Sequence, residues 1–142
     1  MTSAASGGGS DMTRVIVYEL NEVPWRVVDY YVKKKRASNL ARYLSTAAQM
    51  TTHTTDVGEL HPWSTWPTMH RGVNNEAHGI HYINQDLSDS AKYPPLWELL
   101  SRSGKTVGVC GSLQSFPPQT GENMLFHVPD TFAPHGDTHP RK

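Results

Sequence analysis

The stretch that most constrains this chain is Pro94-Pro95-Leu96-Trp97-Glu98-Leu99-Leu100-Ser101-Arg102-Ser103-Gly104, followed at once by Lys105-Thr106-Val107-Gly108-Val109-Cys110-Gly111. Prolines suit the start of a helix, where a missing N–H costs nothing, and glycine suits its C-terminal cap. A compact amphipathic helix therefore ends at a glycine and runs directly into an apolar strand. That order is half of a βαβ unit, and it predicts an α/β fold with a mainly parallel sheet and helices on its faces.

The segments before it fit the same plan. Arg14-Val15-Ile16-Val17-Tyr18-Glu19-Leu20 joins β-branched and aromatic residues with hardly a polar break before Glu19, which predicts a strand covered on both faces. The polar cluster Glu19-Leu20-Asn21-Glu22 then falls at its carboxyl end, the side on which open α/β sheets bind ligands. A helix is predicted next, with Pro24 in its first turn and Val27, Val28, Tyr31 and Val32 at helical spacing, and Lys33-Lys34-Lys35-Arg36 opposes the negative pole at its end. Ser38 is the predicted cap of a second helix carrying Leu40, Tyr43 and Leu44. Threonine-rich Met50 to Thr55 and the short run Met124 to Val128 read as further strands, and residues 73–80 as too polar for a core element. Residues 81–93 read as loop.

Composition excludes several function classes. The 13 basic and 13 acidic residues cancel, which argues against bulk electrostatic binding to nucleic acid or an acidic membrane. No apolar run approaches the roughly twenty residues that span a bilayer. The single cysteine, Cys110, has no internal disulfide partner and lies in an apolar run, so it reads as buried and inert, in a reducing, cytoplasmic setting. Residues 1–12 are Ser/Ala/Gly-rich without an apolar centre and read as a flexible leader.

The chemistry concentrates in Leu60-His61-Pro62-Trp63-Ser64-Thr65-Trp66-Pro67-Thr68-Met69-His70-Arg71-Gly72 and, shortly after, His78-Gly79-Ile80. Rigid, aromatic, hydroxyl and imidazole groups are interleaved here, the inventory of nucleophiles and anion sites. An aromatic-rich loop leading into a helix, with Pro67 in an early turn, accounts for the same residues.

Taken in order, these pieces resemble the N-terminal portion of the alkaline phosphatase superfamily, in its type I phosphodiesterase/nucleotide pyrophosphatase branch. The similarity rests on the first strand with its acidic and amide end, on Ser38-Asn39-Leu40-Ala41-Arg42-Tyr43-Leu44, and on the Trp/Pro/Thr segment with Gly72 and His78-Gly79-Ile80. It continues through Leu96 to Val109, Phe116-Pro117-Pro118 and Val128-Pro129-Asp130. The resemblance implies that residues 13–142 are the N-terminal part of a three-layer α/β/α hydrolase domain acting on phosphate or sulfate esters. It also implies divalent metal ions, usually two zinc ions, with manganese or magnesium as alternatives, and small-molecule ester substrates rather than nucleic acid polymers or membranes.

Carried onto this chain, the resemblance makes Glu19 and Asn21 the metal-side residues, although the family's aspartate position falls on Asn21, a neutral amide. It makes Thr65, within Thr65-Trp66-Pro67, the attacking hydroxyl, whereas counting back from Gly72 places Pro62 there and leaves Ser64 or Thr65 to substitute. His78 corresponds to a position near the site entrance, with a substrate-binding or loop-positioning role. His135 and His139 have ligand-like spacing, but Gly136 and Pro140 oppose a helix between them. His53, His61, His70, His81 and His127 read as loop or surface residues. The departures at Asn21 and Pro62 also admit a relative that kept the fold as a binding domain without catalysis. A nucleotide-binding α/β domain would need a glycine-rich loop after the first strand, and Glu19-Leu20-Asn21-Glu22 is none.

Overall fold

The computed structural model describes residues 14–141, so the leader expected over residues 1–12 lies outside the described residues. Five α-helices are seen among them: α1 (Trp25–Lys34), α2 (Asn39–Thr46), α3 (Pro62–Arg71), α4 (Asn75–His78) and α5 (Leu96–Arg102). Two strands follow, β1 (Val107–Cys110) and β2 (Met124–Val128), paired in parallel. The described chain is thus a mixed α/β structure with a small parallel sheet.

The helix–glycine–strand unit forms as its residues dictate. Gly104 adopts φ +80°, its N–H bonds the Ser101 carbonyl at 3.1 Å, and the Lys105 N–H bonds the Leu100 carbonyl at 3.0 Å. These are the two bonds of a Schellman cap, and they turn the chain from α5 into β1. Trp97 of α5 then packs on Val109 of β1 and Met124 of β2, with Val107 beside them, to form the apolar core. Ser38 caps α2 as expected, accepting from the Ala41 N–H at 3.2 Å.

Register explains one glycine. Gly108 pairs with Phe126 across an irregularity in the ladder, and a β-carbon on Gly108 would run into the Phe126 ring. On the far side of β2 the chain returns, and His127 and His139 exchange backbone hydrogen bonds of 2.8 and 2.9 Å in an antiparallel bridge.

Several expectations are corrected. Residues 14–20 form no ladder with any described residue, and Val15 and Ile16 are 80% and 89% exposed. Apolar pattern sets which faces a strand can bury, but a strand also requires a neighbour. Met50 to Thr55 is likewise irregular. What fixes the chain just beyond it is a side chain: Asn75 accepts from the Val57 N–H at 3.0 Å and donates to the Val57 carbonyl at 2.9 Å, doing for one residue what a paired strand would do. Asn75, His78 and Ile80 are buried, although their surroundings read as too polar for a core. Polar residues enter an interior when their hydrogen bonds are satisfied there. Pro62, not Pro67, occupies the first turn of α3, and Pro67 lies inside the helix. Cys110 is exposed rather than buried, since alternation along β1 turns Val109 to the core and Cys110 away from it. His70 and His127 are buried, not surface residues.

No helix among the described residues is long and apolar enough to cross a membrane.

Candidate functional site

Helix α3 organises the site. Pro62 starts it, and Gly72 ends it in the left-handed conformation with its N–H on the Thr68 carbonyl. At about 100° per residue, Trp66 and His70 share one stripe, Ser64 and Thr68 a second, and Thr65 and Met69 a third.

The first stripe receives the polar end of the N-terminal segment. Trp66 Nε1 donates to Asn21 Oδ1 at 2.9 Å, and His70 Nε2 lies 2.7 Å from Glu19 Oε1. Glu19 and Asn21 thus reach neighbouring positions on one helix face, although Asn21 itself lies in a turn. Ser112, just beyond β1, donates its hydroxyl to Glu19 Oε2 at 2.8 Å and stands 3.4 Å from His70 Nε2. Three distant parts of the chain converge here, at the carboxyl end of β1. Trp66 stacks on His70, and Trp97 meets the same imidazole edge-on at 5.0 Å between ring centroids.

Burial alone would push the Glu19 carboxyl up, but the His70 hydrogen bond and charge, with the Ser112 hydroxyl, outweigh it and hold the group below its ordinary value. Glu19 is therefore an ionised carboxylate with a donor on each oxygen. The cluster differs from a serine-histidine-acid relay. In such a relay the acid and the hydroxyl flank opposite ring nitrogens, whereas here both face Nε2. What it can do chemically is hold the Glu19 carboxylate in one orientation between two hydrogen-bond donors.

The second stripe carries a separate network. Thr68 Oγ1 donates to Asp56 Oδ1 at 2.7 Å and lies 2.9 Å from His78 Nε2, while His78 Nδ1 accepts from the Ile80 N–H at 3.0 Å. An accepting Nδ1 puts the proton on Nε2, which then donates to Thr68. Burial pushes the His78 pKa down, the Asp56 charge opposes this, and the Arg71 and His81 charges add to it. His78 is therefore a neutral structural donor that orders the α3–α4 turn.

The two predicted hydroxyls fare differently. Ser64 is 1% exposed, and its hydroxyl has no partner among the described residues. Thr65 is partly exposed and donates to the His61 carbonyl at 3.1 Å. It lies on the third stripe, so Glu19 and Asn21 are brought together by α3 while Thr65 stands around the helix from them.

For a metal, the convergent side chains are Glu19, His70 and Ser112, but His70 Nε2 and the Ser112 hydroxyl are engaged as donors to the carboxylate. The Asn21 oxygen is engaged by Trp66. Zinc sites take three or four strong protein ligands. Among the described residues no group of three His, Cys, Asp or Glu side chains could hold a metal ion, so they do not complete such a site. His135 packs edge-on against Phe116, whereas His139 Nε2 is 3.0 Å from the Met124 carbonyl.

His70 and Ser112 were not legible as site residues from spacing. The rule that ligands gather beyond strand carboxyl ends points to Ser112, and the four-residue step from Trp66 points to His70 once Asn21 is known to meet Trp66. The chain matches no family model, no curated protein and no solved structure.

Proposed function

We propose that the chain is the N-terminal part of a three-layer, alkaline phosphatase-like hydrolase domain that cleaves phosphate or sulfate esters with the help of divalent cations. The observation that carries this reading is the convergence of Glu19, His70 and Ser112 at the carboxyl end of β1. In α/β sheets that end is where ligands bind, and an ionised carboxylate there is one ligand that a cation site could use. The reading requires ligands beyond those that residues 14–141 bring together. Thr65 is favoured over Ser64 as the hydroxyl because a substrate can approach a partly exposed group and not a buried one.

The test is metal analysis of the whole protein together with turnover of an aryl phosphodiester and an aryl sulfate. Glu19→Gln should lower metal content and turnover together, and Thr65→Ala should lower turnover alone. Unchanged turnover in both variants would remove the assignment.

A second reading, a binding domain without catalysis, is favoured by one observation. Val15, Ile16, Val17 and Tyr18 are exposed in a segment that forms no ladder with any described residue, a surface suited to strand addition. Absence of turnover in the whole protein, with Glu19→Gln leaving partner binding intact, would favour it.

A further inference from the structure

Pro67 leaves a gap in α3. A proline inside a helix has no N–H for the carbonyl four residues earlier, here that of Trp63. Gln114 fills the gap from outside the helix: its Nε2 donates to the Trp63 carbonyl at 3.3 Å and to the Tyr82 carbonyl at 2.7 Å. Both acceptors are carbonyl oxygens, so the amide orientation is dictated by its surroundings. The Gln114 backbone is itself held, at φ +59°, with its N–H on Asp130 Oδ2 at 2.9 Å. A positive φ is uncommon for a residue with a β-carbon, and it persists only where neighbours enforce it.

The position of Gln114 gives this clamp its meaning. Ser112, two residues earlier on the same loop, holds Glu19. One short loop after β1 therefore grips the Glu19 carboxylate at one residue and the first half of α3, which carries Thr65, at another. We infer that Gln114 is a positioning residue: it replaces the helical donor missing at Pro67 and sets the first turn of α3, with Thr65, relative to the Glu19 cluster. The catalytic part of this inference rests on the hydrolase reading above; the clamp itself does not.

The test uses the whole protein with Gln114→Met, which keeps length and removes the amide, alone and combined with Pro67→Ala, which restores the helical N–H. Loss of one ordinary hydrogen bond corresponds to about a five- to tenfold change in a local opening equilibrium. In Gln114→Met, amide exchange of Thr65 and Trp66 should accelerate by about that factor while exchange in α5 stays unchanged. Turnover should show a lower kcat with little change in KM. Adding Pro67→Ala should return both exchange and kcat toward the parent. Unaltered exchange in Gln114→Met, or no recovery on adding Pro67→Ala, overturns the inference. So does acceleration spread equally through α5 in both backgrounds, since that marks a general loss of stability. Failure of the hydrolase reading is seen separately, as absent turnover in the parent, and the exchange measurements then decide the clamp by themselves.

Discussion

Glu19 Oε1 and His70 Nε2 meet at 2.7 Å although 51 positions separate them in the sequence. The contact ties the N-terminal segment to α3, and Ser112 ties the same carboxylate to the loop after β1. A single side chain thus joins three parts of the fold, which makes its ionisation a stability variable.

The sign of that dependence follows from the direction of the shift. Glu19 is held below its ordinary value of 4.5, so its contribution is fully present above that value and is lost as pH falls through the lower, folded-state value. Hydrogen bonds to a charged group each contribute about 1.5–3 kcal/mol when buried, and the side chain here is 23% exposed, so the low end applies. Urea unfolding should show Glu19→Gln less stable than the parent by about 1.5 kcal/mol at pH 7. The difference should shrink below pH 4.5, and a difference that is constant from pH 7 to pH 3 contradicts the ionised assignment.

His78 gives the complementary case for a base. Its pKa is lowered by burial from an ordinary 6.5, so the unfolded chain binds the extra proton first as pH falls. The stability associated with neutral His78 is present above 6.5 and is lost below it. Nitrogen-15 NMR of the imidazole should find an unprotonated Nδ1 and a protonated Nε2 at neutral pH, with a titration midpoint under 6.5. An Nδ1-protonated tautomer would contradict the Thr68–His78 geometry.

The parts of this structure that were legible in the sequence are those whose cause is local. Ser38, Pro24, Gly104 and the apolar run Val107–Cys110 carry their own instructions through capping, fixed φ and alternation, and the helices and strand stand where these residues put them. Residues 14–20 show the converse, because pairing depends on a neighbour the segment does not encode. At the site, Glu19 and Asn21 were singled out by their polarity after an apolar run, but their partners His70, Trp66 and Ser112 were not. Tertiary convergence across long sequence separations leaves no periodic trace. Polarity also misled at Asn75 and His78, whose burial follows from bonds to Val57, Thr68 and Ile80 rather than from hydrophobicity.

Sheet packing gives a third prediction. A β-carbon at Gly108 would collide with the Phe126 ring, which stands across it in the parallel pair. Forcing extra volume into a packed contact costs about 1–3 kcal/mol, and Phe126 is exposed, so its ring can yield some of that. Gly108→Ala should lower stability by about 1 kcal/mol, and adding Phe126→Leu should recover part of it. Strictly additive losses would show that the two positions do not touch.

Cys110 supplies the last test, because alternation and apolar context make opposite predictions for it. The run Val107-Gly108-Val109-Cys110 suggests a buried, inert thiol, whereas the structure turns Val109 to the core and Cys110 outward. An exposed thiol meets a reagent without any unfolding step, while a buried one reacts only through opening of the fold. The folded protein should therefore react with Ellman's reagent at a rate insensitive to low urea and close to that of the unfolded chain. Any further sheet strand or bound chain covering that face of β1 would slow the reaction in the native protein and leave the denatured rate unchanged, so the ratio of the two rates measures how open the outer face of β1 is in solution.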